Sequence, residues 1–185
     1  MRPINEIIIH CTATRPEWWA GKSPAEKVAE VRRWHTRDRG WSDIGYHYLI
    51  DRDGTVMSGR PVTRIGAHVQ GHNTGTIGVS LFGGHGSAET DDFSDNFTPA
   101  QEAALRRLLD ELQARFPAVR KISGHNEYAA KACPGFSVPL WLLGANGYPH
   151  KFVTPTHPRP PLVSPRPAQR PSWVEMLASF LKGER

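Results

Sequence analysis

His125 and Cys133 stand eight residues apart in the segment GHNEYAAKACPGF (124–136), with Lys131 between them. An imidazole nitrogen and a thiolate both bind Zn²⁺ at about 2.0 to 2.3 Å, and a catalytic zinc site takes three protein ligands, leaving its fourth position to water. A third ligand must therefore come from elsewhere. The best-placed residue is His10, which ends the apolar run Ile7-Ile8-Ile9, because a side chain at the end of a buried strand is held rigidly at the rim of a sheet. Its neighbour Cys11 also carries a ligand atom, but successive strand side chains point to opposite faces, so one of the two must face away. A metal with an open position acidifies its water and polarises a carbonyl, and hydrolysis of an amide is the natural reaction.

The elements that would position these residues are legible. Ser23-Pro24-Ala25-Glu26 is a capping box with proline at the first helical position, and Val28, Val31, Trp34 and His35 then give a helix one buried stripe that ends at Gly40. Residues 45–58, GYHYLIDRDGTVMS, alternate and turn at Asp53-Gly54, predicting a hairpin with Tyr46 and Tyr48 on one face and His47 on the other. TIGVSLF (76–82) reads as a further strand, and the polar loop from Gly83 to Asn96 is expected to be mobile. A second capping box, Thr98 to Gln101, opens a long helix with Leu105, Leu108, Leu109, Leu112 and Phe116 on one face. Val119–Ile122 is the strand expected to deliver His125. Strands interleaved with two strong helices predict an α/β fold, a mixed central β-sheet flanked by helices.

The chain's 185 residues suffice for one domain and an appendage. Half of its 16 prolines fall in residues 149–171, and residues 149–185 hold 6 Lys or Arg against 2 Asp or Glu. These numbers divide the chain into a catalytic domain (1–148), a basic Pro-rich linker (149–171) and a short amphipathic helix (172–185), which Ser172 to Glu175 would cap. That helix is expected to dock on its own domain, on a second copy or on an anionic envelope surface. The remaining charge is nearly balanced, which argues against a nucleic-acid-binding core. MRPINEIIIH is not a signal peptide, and no apolar run reaches the roughly 20 residues of a membrane span, so a cytoplasmic protein without disulfides is expected; a monomer is the expected state.

IIIHCTAT near the start, GWSDIGYHYLIDRDGTV (40–56), GAHVQGHNTGTIGV (66–79), FTPAQ (97–101) and HNEYAAKACPGF together resemble the zinc-dependent N-acetylmuramoyl-L-alanine amidases, most closely the bacteriophage T7 lysozyme type. The wider family includes peptidoglycan recognition proteins. The resemblance runs from about residue 5 to about residue 145. It implies a peptidoglycan hydrolase, a phage endolysin, that cleaves the amide between N-acetylmuramic acid and the L-alanine of the stem peptide. It selects His10, His125 and Cys133 as zinc ligands, leaves Cys11 as a packed residue, and places Tyr46 and Lys131 at the family's catalytic positions. One would stabilise the oxyanion while the other orients water or passes a proton, and the sequence leaves that division open. His68 falls where relatives contact substrate. The same fold can instead serve as a non-catalytic peptidoglycan receptor or bind a phage RNA polymerase. Without a secretion signal, the enzyme would reach the wall only after another protein opened the membrane.

Overall fold

The computed structural model describes residues 2–144. Its central strand, β1 (Glu6–Cys11), lies between two parallel neighbours, β4 (Thr76–Leu81) and β5 (Lys121–Gly124). A strand covered on both edges and both faces has no use for polar alternation. Ile7, Ile8 and Ile9 accordingly have no exposed surface. Beyond β4 come β2 (Tyr48–Ile50), parallel to it, and β3 (Val56–Ser58), antiparallel to β2, giving the order β3-β2-β4-β1-β5. The mixed sheet with helices around it is the α/β architecture expected from the sequence.

Each face of the sheet has its own core. Ile7, Ile9, Ile77, Val79, Leu81 and Ile122 pack with α3 (Pro99–Arg115), through Leu105, Leu108, Leu109 and Leu112, and with α4 (Val138–Leu143). On the opposite face Leu49 and Phe82 meet Val28 and Val31 of α1 (Pro24–Arg33). Both helices begin at the expected capping boxes: Glu26 N–H donates to Ser23 Oγ at 3.3 Å and Gln101 N–H to Thr98 Oγ1 at 3.1 Å. Gln101 does more than cap. Fully buried, it donates from Nε2 to the carbonyls of Ile50 (3.2 Å) and Phe82 (2.8 Å), tying the start of α3 to the ends of β2 and β4.

The structure departs from the sequence reading in three places. The first helix changes character at Trp34, where residues Trp34–Asp38 wind as a wider π-helical turn before Gly40, at φ +69°, ends it. This turn accommodates two adjacent inward-facing rings, Trp34 against Trp18 and His35 against Trp41 and Tyr46. Tyr46 and Tyr48 do not share a face. The ladder begins only at Tyr48, so Tyr46, in the irregular approach to it, packs on the α1 side and Tyr48 on the α3 side. The loop expected to be mobile contains α2 (Phe93–Asn96), whose Phe93 is buried against Phe97, Phe136 and Trp141. The Pro-rich segment 149–171 and the helix expected at 172–185 lie outside the described residues.

Replacing Gln101 by alanine strips the Phe82 carbonyl of its donor in a buried place, and an orphaned buried acceptor costs about 1 to 3 kcal/mol. Denaturant unfolding of Gln101→Ala should report a loss of that size with an unchanged m-value.

Candidate metal centre

The site is built where the parallel ladder runs out. The last pair between β1 and β5 is Ile9 with Gly124, so His10 and Cys11 extend past the end of β5. Thr12 N–H turns toward β4 and bonds the Leu81 carbonyl, which leaves Cys11 N–H, by alternation, pointing to the side where β5 has ended. A buried N–H needs an acceptor. Cys133 Sγ supplies it at 3.3 Å. His125 follows β5 directly, in a 3₁₀ turn (His125–Glu127) pinned by Gly124 N–H donating to Glu127 Oε1 at 2.7 Å.

Strand end and loop thus meet. His10 Nδ1 lies 3.2 Å from His125 Nδ1 and 3.8 Å from Cys133 Sγ, and the three ligand atoms fall within 4.8 Å of one another. Tetrahedral bonds of 2.0 to 2.3 Å to one ion would place nitrogen about 3.4 Å from nitrogen and about 3.6 Å from sulfur, close to both distances from His10, so the trio could hold a metal ion. The sequence-predicted Tyr46 is also here, its ring 5.2 Å from that of His10. Behind it a groove of about 330 Å³ opens between Tyr46, Thr12, Trp34, His35 and Arg39.

The model of the N-acetylmuramoyl-L-alanine amidase family matches residues 1–136. The endolysin of Escherichia phage T7 is 43% identical over 137 residues, covering 74% of this chain and 84% of that one. The chain belongs to the N-acetylmuramoyl-L-alanine amidase family. Solved amidase structures share its fold. An endolysin amidase, LysCS, from Clostridium intestinale superposes with a TM-score of 0.58 at 26% identity over 73% of this chain and 78% of that one. The Ph2119 endolysin from a Thermus scotoductus bacteriophage gives 0.56 at 29% over 73% and 79%.

Electrostatics in this amidase prepare the histidines to be neutral. Burial holds His10 well below its ordinary pKa, with His68, His125 and Lys131 adding to the effect, and burial followed by the Lys131 charge lowers His125. Lys131 itself is exposed at the mouth of the site. Cys133 is raised, first by its hydrogen bond with the Cys11 thiol and then by burial. Burial likewise raises Tyr46, so its phenol keeps its proton at neutral pH and serves as a donor.

His68 lies elsewhere than the mouth. It is 7% exposed, behind His10, with its Nδ1 3.1 Å from His10 Nε2, and burial lowers its pKa to about 3. Two glycines make room for its ring: a Cβ at Gly66 would come within 2.5 Å of it and one at Gly78 within 2.6 Å. His72, in contrast, is exposed and lies against Tyr128. Sequence reasoning had not singled out Thr76 or the Cys11 N–H.

The pKa directions fix how metal binding responds to pH. Both imidazoles are depressed and already neutral at pH 7, whereas the raised Cys133 thiol must lose its proton on binding. Affinity for zinc should rise with pH, by up to about tenfold per unit below the Cys133 pKa, and fall as pH is lowered. Calorimetry in buffers of different ionisation enthalpy should find about one proton released per ion bound.

Proposed function

We propose that this amidase hydrolyses the bond between the lactyl group of N-acetylmuramic acid and the L-alanine of the peptidoglycan stem peptide, using one zinc ion held by His10, His125 and Cys133. The observation that carries the reading is the convergence of those three donors at 3.2 and 3.8 Å beside the exposed Lys131 and the half-buried Tyr46. Bound zinc supplies a Lewis acid and an acidified water.

The chain's own residues divide the remaining work. Cys133 holds its thiolate against the Cys11 N–H, and the two neutral imidazoles add no charge, so the ion keeps a net positive charge. Lys131, free to approach from solvent, donates to the oxyanion formed on attack. Tyr46 keeps its phenolic proton and orients water or hands a proton to the departing amine. The groove behind Tyr46 gives the substrate a place to lie. Residues 1–148 form the catalytic unit, and the basic extension from 149 holds it near an anionic envelope surface. The protein acts as a phage endolysin, working on the wall once the membrane has been opened. Recognition without cutting is the weaker reading, because an intact thiol ligand, Tyr46 and Lys131 have no necessary part in a receptor.

Mass spectrometry of Gram-negative-type peptidoglycan digests, with and without a zinc chelator, tests the reaction. Stem peptides with a free L-alanine amino end should form only when zinc is present; zinc bound at one per chain with no cleavage would overturn the catalytic reading. Lys131→Ala should keep its zinc and lose about 10²-fold in kcat. Cys133→Ser should lose the zinc itself, seen by metal analysis.

A further inference from the structure

Thr76 has no role above and His68 only the substrate contact that the resemblance implied, yet together they form a buried chain of hydrogen bonds that ends on a metal ligand. Thr76 Oγ1, at the start of β4, lies 3.0 Å from the carbonyl of His72 and 3.0 Å from that of Asn73, and 3.3 Å from His68 Nε2. A hydroxyl has one proton, and both carbonyls only accept. Two carbonyls at 3.0 Å outbid one ring nitrogen at 3.3 Å for that proton, so the geometry has the hydroxyl accept from His68. His68 therefore carries its proton on Nε2 and presents a bare Nδ1 to His10 Nε2 at 3.1 Å. His10 must donate there, which leaves its Nδ1 lone pair facing His125 and Cys133.

We propose that Thr76 and His68 are positioning residues, a two-step relay that locks His10 in the tautomer protonated on Nε2 so that Nδ1 is ready for the metal before any metal arrives. This rests on the reading of His10 as a ligand. The tautomer of an imidazole ligand is set by the bond its other nitrogen makes. Here the acceptor is a neutral imidazole rather than a carboxylate, so it fixes the ring without subtracting charge from the ion. The loop that carries the relay is held at its own end. Asn73 Oδ1 accepts from the N–H groups of His68 (2.8 Å) and Val69 (2.9 Å), and Arg2 donates to the Thr76 carbonyl at 2.8 Å. His125 has no such lock: among the described residues no hydrogen bond reaches its other nitrogen.

Long-range proton–nitrogen NMR of the metal-free protein with labelled histidine reads the tautomers directly. Wild type should show His10 and His68 protonated on Nε2 and bare at Nδ1. In Thr76→Val, which keeps the side-chain shape and removes the acceptor, His10 should lose its single tautomer and zinc affinity, measured by chelator competition, should fall about tenfold, the low end for partners of metal ligands. Thr76→Ser should restore both. His10 protonated on Nδ1 in wild type, or Thr76→Val binding zinc within threefold of wild type, would overturn the relay. Failure of wild type to bind zinc at all would instead overturn the metal reading, since the tautomers are observed without metal.

Discussion

An imidazole with no exposed surface must have both its nitrogens answered from within the protein, because water cannot reach either. His10 is such a group, and much of the molecule can be understood as the means of answering it. One nitrogen meets His68, on a loop closed by Asn73, beside glycines that leave space for the ring. The other meets His125 and Cys133, brought in by the strand that parallels β1 and the loop after it. The position could be buried only after β4 and β5 had both been laid alongside β1. Hence the longest of the described helices, α3, is spent on sealing the far face of those strands.

The sheet also separates two kinds of work. Its α3 face is an apolar core, with aromatic rings from Phe93, Phe97, Phe136 and Trp141 packed under the loop that ends in Cys133. Its α1 face carries Leu49 and Phe82 but also His10, and the neighbouring rings of Tyr46 and His68 are met there. Strand alternation makes this division automatic, since Ile9 and Cys11 face the first core and His10, between them, the second. The polar rings are thereby kept out of the core that supplies most of the burial.

What the sequence revealed and what it withheld follow the range of the interactions concerned. The capping boxes at Ser23 and Thr98 are contacts between residues three apart, and the leucine stripe of α3 is a period along one helix; both are local. The convergence of His10, His125 and Cys133 was legible because a strand end and a short loop each announce themselves, and because the resemblance joined them. Tyr46 was placed on the wrong face since an alternating pattern continued two residues beyond the strand that justified it. The π-helical turn at Trp34 was hidden because a 3.6-residue period does not register a local widening. His68 was the least legible. Its partners come from β1 and β4, and only the register of Ile8 with Gly78 brings the glycine under its ring.

The unequal lengths of β1 and β5 have a bearing on transplantation. The Cys133 sulfur here rests on a backbone donor that exists because one strand outruns its neighbour by two residues. Copying His10, His125 and Cys133 onto a sheet of evenly matched strands would reproduce the side chains and lose that donor, since the ladder would claim it. The ligand set is thus partly encoded in where pairing stops, a property that belongs to no single residue and that a graft must carry as topology.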